Sequence, residues 1–159
     1  MSREDFLIRK TLVEGQHQKL IEMRNMPVDS ANGVFERFEH PILTAGHVPI
    51  EWRYDLDYES NPYFMERLGV NAVFNCGAIY HNGKVALVGR IEGNDRKSFF
   101  GIAESEGGIN NFRFNDYPIV LPETDDPDVN VYDMRLVHHE DGWIYGLFCT
   151  ERKDKNAPI

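Results

Sequence analysis

The stretch Val73-Phe74-Asn75-Cys76-Gly77-Ala78-Ile79-Tyr80-His81-Asn82-Gly83-Lys84-Val85-Ala86-Leu87-Val88-Gly89-Arg90-Ile91 decides the fold class. Two apolar runs, 73–80 and 85–91, flank His81-Asn82-Gly83. Asn-Gly tolerates the left-handed backbone of a tight hairpin turn, so the stretch reads as two antiparallel strands. Phe99–Ala103 follows as a third strand. Downstream, Arg135–His138 and Trp143–Cys149 flank Glu140-Asp141-Gly142, a second hairpin of the same kind. Placing Gly83 over Gly142 lays Ala78-Ile79-Tyr80 over Val137-His138-His139 and Val85–Val88 over Ile144–Leu147. The offset (142 − 83 = 59) suits a repeated multi-strand unit, the length of a propeller blade plus insertions. A propeller typically needs at least four blades. On that reading much of the ring lies beyond residue 159, and a small β-domain complete as it stands is the alternative.

Upstream the character changes. Phe6, Leu7, Leu12, Val13, Leu20, Ile21 and Met23 approximate helical spacing among many charges, so residues 3–24 read as a helix that ends before Pro27. We divide the chain into a helical extension over 1–30 and a β-domain over 31–159. The helix buries its stripe either on its own domain or on a neighbouring subunit, the second giving a homo-oligomer. Pro62–Leu68 reads as one or two further helical turns.

Composition narrows the function classes. Aromatic residues make up 12% of 159, which suits pleated faces and sugar-binding surfaces alike. A net charge of −9 repels nucleic acid and anionic membranes. No run of 18 apolar residues marks a membrane span, and the start Met1-Ser2-Arg3-Glu4-Asp5 lacks the apolar core of a signal peptide. Cys76 and Cys149 are too few for a disulfide framework, which points to reduced thiols and a cytoplasmic protein.

Few residues carry a chemical signal. The cluster Arg90-Ile91-Glu92-Gly93-Asn94-Asp95-Arg96-Lys97 follows an apolar strand, where loops at a sheet rim build sites. A solvated turn is the plainer reading. Asp133, inside Val131-Tyr132-Asp133-Met134-Arg135, is a carboxylate among apolar residues. Burial favours its protonated form and Arg135 its anion, the balance a general acid requires. The structural alternative is an Asp133–Arg135 salt bridge, since residues two apart on a strand share a face. His138 and His139 are adjacent and would face opposite ways, so they cannot hold one metal, and no Cys or His pair has zinc spacing. Phosphate-cradling, dinucleotide and nucleophile-elbow motifs are missing. Cys76 has no base in sequence reach to make it a nucleophile.

Together these motifs resemble a family. Phe74-Asn75-Cys76-Gly77-Ala78, Gly89-Arg90-Ile91-Glu92-Gly93 with Asp95-Arg96-Lys97-Ser98, Ile102-Ala103-Glu104-Ser105 and Tyr132-Asp133-Met134-Arg135 are similar, in order, to the N-terminal half of glycoside hydrolase family 130, the β-mannoside phosphorylases. Thr44-Ala45-Gly46-His47-Val48-Pro49, Trp52-Arg53-Tyr54-Asp55 and Asn61-Pro62 resemble its subgroup acting on a β-mannosyl-glucose disaccharide. The resemblance implies an all-β, five-bladed propeller, of which this chain is roughly the first two blades after the helix. It implies inverting phosphorolysis to α-mannose 1-phosphate and glucose. Asp133 matches the general acid, its proton passing through the mannose 3-hydroxyl. Asn75 and Arg90 match residues that hold the mannose. Arg96 and Asp95 match residues lining the mannose or glucose side.

An inverting hydrolase needs two carboxylates, whereas a phosphorylase needs only the acid, because phosphate is already an anionic nucleophile. Phosphate is the co-substrate, and no metal or organic cofactor is implied. The family's phosphate-binding cations lie mostly downstream of residue 159, with Arg152 the late candidate here. The isolated chain is therefore expected to be inactive. A hydrolase of the same family and a non-catalytic sugar-binding fragment are the alternatives, with a purely structural β-domain behind them.

Overall fold

The first helix starts where its sequence supplies a cap. The Ser2 hydroxyl accepts from the Asp5 amide at 3.1 Å and the Asp5 carboxylate accepts from the Ser2 amide at 3.3 Å, a reciprocal capping box. Helix α1 spans Arg3–Ile21 and stops before the expected residue 24. In this computed structural model residues 1–29, 33–123 and 128–152 are described, the Arg152 side chain excepted. The buried side of α1 runs through Phe6 and Ile21, while Leu7, Ile8 and Leu12 stay exposed. Phe6 packs edge-on against Tyr58 at 5.5 Å and Phe64 at 5.2 Å. The helix thus packs on its own chain. No described helix is long and apolar enough to cross a membrane.

A small ladder of β1 (Pro27–Val28) and β2 (Arg37–Phe38) follows, then a 3₁₀ turn over Ala45–His47 and a one-turn helix α2, Ile50–Arg53. The sequence pattern does not announce the turn or α2. Residues 62–68, expected as helix, are a turn. The Asn61 amide donates to the Asp55 and Met65 carbonyls, its oxygen takes the Met65 amide, and Phe64 sits at a φ of 49°. Side-chain capping of this kind competes with helix propagation.

The rest is antiparallel sheet. β3 (Val70–His81), β4 (Lys84–Gly93), β5 (Ser98–Ser105) and β6 (Arg113–Phe114) form one four-stranded meander, and β7 (Asp128–His138) pairs with β8 (Ile144–Arg152). Asn82 and Gly83 turn the first hairpin with φ of 50° and 80°, as Asn-Gly requires. β4, the central apolar run, is buried on both faces. Leu87 and Ile91 join Leu43, Val48, Val73, Ala103 and Phe112 on one face. Val88 joins Phe100, Val131 and Met134 on the other, so β7 lies across that face.

The repeat is present, with one correction. Gly77 pairs with Val88 and Arg135 with Leu147, an offset of 58 along the first strands (135 − 77) and 59 along the second (147 − 88). Ala78-Ile79-Tyr80 therefore match Leu136-Val137-His138, one residue earlier than the Gly83–Gly142 overlay places them. The second hairpin loop is one residue longer, closed by the His139 amide on the Trp143 carbonyl at 3.0 Å. Both first strands carry a register shift at equivalent places, Phe74/Gly77 and Tyr132/Arg135. Among the described residues the strands close no ring.

Candidate active site

Each bulge lifts one polar residue out of its strand. Asn75 has a φ of 51° and Asp133 of 54°, a left-handed backbone that Asn and Asp adopt more readily than most residues. The positions are 58 apart (133 − 75), equivalent in the two units. Their side chains meet, the Asn75 amide donating to Asp133 Oδ1 at 2.8 Å. Asn75 is exposed and Asp133 half-buried.

Close approach of the two first strands makes this possible. A Cβ at Gly77 would stand 2.4 Å from the Met134 carbonyl oxygen, so only glycine lets β3 and β7 come so near. Asn130 ties β7 to the start of β5 and the turn before it. Its oxygen accepts from the Ser98 amide at 2.8 Å, its amide donates to the Arg96 carbonyl at 3.1 Å, and the Ser98 hydroxyl donates to the Val131 carbonyl at 2.6 Å.

The alternative Asp133–Arg135 salt bridge does not form. The bulge breaks the alternation that would have put both on one face. Arg135 Nη1 instead donates to the carbonyls of Met134 at 2.9 Å and Asn75 at 3.4 Å.

The residues just before the bulges, Phe74 and Tyr132, are also equivalent, and both rings pack on Arg90. Its guanidinium carbon lies 4.7 Å from the Phe74 centroid and 4.3 Å from that of Tyr132. Arg90 Nη2 donates to Glu92 Oε2 at 3.2 Å. The Tyr132 hydroxyl donates to Glu151, which, ahead of burial, holds the phenol above its ordinary pKa.

Asn75, Asp133 and Arg90 are thus gathered around the bulges. Asp95 and Arg96 are not: they form the turn after β4, where Asp95 Oδ1 accepts the Lys97 amide at 3.1 Å and the Arg96 side chain is 83% exposed. Arg152 ends β8, and its side chain lies outside the described residues. Burial pushes the Cys76 thiol up, against a lesser pull from Arg135, away from the thiolate a nucleophile requires. A hollow of about 600 Å³ lined by Lys84, Glu104, Arg113 and Phe114 opens at the β6 edge of the meander and takes in none of these residues. Sequence reasoning passes over Glu92, Phe74 and Tyr132 as site members. The 59-residue overlay itself sets Glu92 on Glu151, the signal that could have singled it out.

No family model matches the chain. It is similar over 82% of its length, at 20% identity and a TM-score of 0.54, to a structure from the GH130 family of mannoside phosphorylases, described as containing glycoside hydrolases that target β-1,2 mannosidic linkages in Candida mannan. A second structure, from Bacteroides ovatus and solved as a candidate glycoside hydrolase, matches with a TM-score of 0.51 at 21% identity. The fold is therefore one shared with the mannoside phosphorylases and hydrolases of glycoside hydrolase family 130. More particularly, the chain is a homologue of the 4-O-β-D-mannosyl-D-glucose phosphorylase of Bacteroides fragilis, with 58% identity over 143 residues, 90% of this chain. It spans 37% of that relative and 35% of each of the two solved chains.

Proposed function

We propose that the protein carrying this chain is an inverting glycoside phosphorylase. It converts 4-O-β-D-mannosyl-D-glucose and phosphate to α-D-mannose 1-phosphate and D-glucose, with Asp133 as proton donor. The observation that carries the reading is the Asn75–Asp133 pair at matched bulges, in a chain 58% identical to an enzyme named for that activity.

The chemistry needs one acid. As the bond between mannose C1 and the glucose oxygen breaks, the leaving oxygen takes a proton that originates on Asp133, relayed by the mannose 3-hydroxyl. A phosphate oxygen attacks C1 from the opposite face, which inverts the β-linkage to an α-phosphate. Asp133 is half-buried and unpaired with Arg135, whose Nη1 donates to the Met134 carbonyl instead, so its carboxyl is left to the sugar. Asn75 and Arg90 hold the mannose. Asp95 and Arg96, exposed on their turn, line the outer side of the site. Arg152 is the candidate here for phosphate. Neither metal nor organic cofactor takes part. The two units are the first blades of a five-bladed propeller whose first strands face a central axis. The protein is cytoplasmic, and Leu7, Ile8 and Leu12, exposed on α1, offer a contact for a homo-oligomer.

A hydrolytic variant of the same site has support in the structural likeness to a family that contains hydrolases. One experiment separates the readings. The full-length protein is incubated with the disaccharide with and without phosphate, and products are followed by NMR. α-Mannose 1-phosphate forming only with phosphate supports the proposal. Free mannose in both arms supports the hydrolase, and no release of glucose in either refutes both.

A further inference from the structure

Glu92 lies two residues beyond Arg90 on β4, so both side chains point to the β7 face. The Glu92 carboxylate is buried and both its oxygens are engaged. Oε2 accepts Arg90 Nη2 at 3.2 Å and Oε1 accepts the Asn71 amide at 2.9 Å. Arg96 Nη1 stands 3.9 Å from Oε1, but its side chain is 83% exposed and adds little.

Arg90 is held by three side chains. The Phe74 and Tyr132 rings both pack on its guanidinium, and Glu92 takes Nη2. Its Nε is buried with no hydrogen-bond partner. A buried ion pair is weak evidence for stability, and an unpartnered buried donor costs free energy. The fold holds this arginine in place at a cost, which calls for a reason other than stability. One polar atom is left over: Nη1 has no hydrogen-bond partner among the described residues, and unlike Nε it is not shut off from solvent.

We propose that Glu92 is a positioning residue of the sugar site: backed by Asn71, it fixes Arg90 against the two rings so that Nη1 stays aimed at a mannoside hydroxyl. The inference rests on the proposed function and deepens it. Glu92 itself does not touch substrate, and its effect reaches the sugar through Arg90.

Glu92→Gln tests it in the full-length protein, with 4-O-β-D-mannosyl-D-glucose as substrate. The substitute keeps an oxygen for Arg90, and Asn71 can turn its amide over to accept from the new NH2, so what E92Q removes is the negative charge that grips the guanidinium. The expected result is a KM for the disaccharide raised about ten-fold or more, with kcat within about three-fold and the KM for phosphate unchanged. Asn71→Asp combined with E92Q returns a carboxylate to the cluster, accepting from the substitute's amide, whose oxygen serves Arg90, and it should recover most of the lost KM. An unchanged disaccharide KM in E92Q overturns the proposal. So does a fall in kcat alone that tracks a lower melting temperature, and so does a double variant no better than the single. A wild type inactive on the disaccharide refutes the proposed function and this inference together. An active wild type with an indifferent E92Q refutes the inference only.

Discussion

Gly77→Ala perturbs the contact that brings the two bulges together. The added Cβ would stand 2.4 Å from the Met134 carbonyl oxygen, 3.1 Å from the Met134 carbonyl carbon and 3.4 Å from the Arg135 Cα. All three are backbone atoms, so no side chain can rotate away. Ordinary contact begins at 3.4 Å, which requires β7 to retreat by about 1 Å. Such a shift would stretch the Asn75–Asp133 hydrogen bond from 2.8 Å to roughly 3.8 Å, beyond hydrogen-bonding range. Overpacking of this kind costs about 1–3 kcal/mol, and a displacement of about 1 Å at a reacting group can lower activity about 10²-fold. The assay is phosphorolysis of mannosyl-glucose by the full-length variant, alongside its denaturant midpoint. Gly89→Ala serves as comparison, because its Cβ would meet only the Val73 and Cys76 side chains, at 3.0 and 3.3 Å, and they can adjust. Wild-type stability and activity in G77A would refute the claim that close backbone approach builds the site.

Two further substitutions probe the N-terminal half. Gly15 lies inside α1, and a Cβ added there would have nothing within 4 Å, so Gly15→Ala should stabilise by about 0.5–1 kcal/mol, seen as a higher denaturant midpoint at unchanged activity. His47 is buried, its Nδ1 accepting the Thr44 amide at 3.0 Å, and burial, with His17 close by, pushes its imidazole below the ordinary 6.5. The unfolded chain then binds the proton more readily, so stability should be at its full value above pH 6.5 and fall as the pH drops below it. Melting temperatures from pH 7.5 to 5 should show that slope, and His47→Asn, which keeps an acceptor for Thr44, should flatten it.

The hairpins are legible because their turns demand special residues. Asn82-Gly83 needs positive φ twice in succession, which few other pairs tolerate. The bulges are not legible. Asn75 and Asp133 sit inside apolar runs, and nothing local marks a left-handed residue until the partner strand's register is known. That hidden residue also explains why the Asp133–Arg135 pairing, sound for a regular strand, does not occur. The repeat offset shifts by one because the longer second loop absorbs a residue that an ungapped overlay cannot see. Residues 62–68 carry enough apolar spacing for a helix, but the Asn61 side chain takes the backbone groups that would have propagated one. Glu92 reads as part of a charged rim, since Arg90–Lys97 is continuous in sequence. In fact β4 runs on to Gly93 with both faces covered, which buries Glu92, while Asp95 and Arg96 lie in the turn beyond it.

The role of Asp133 is tested most directly by Asp133→Asn in the full-length protein. The substitute keeps size and polarity but cannot donate a carboxylic proton. Single-turnover phosphorolysis should slow about 10²-fold or more, while disaccharide binding, measured by calorimetry, stays within a few-fold of wild type. A variant that releases α-mannose 1-phosphate at the wild-type rate would contradict the assignment of Asp133 as the proton donor.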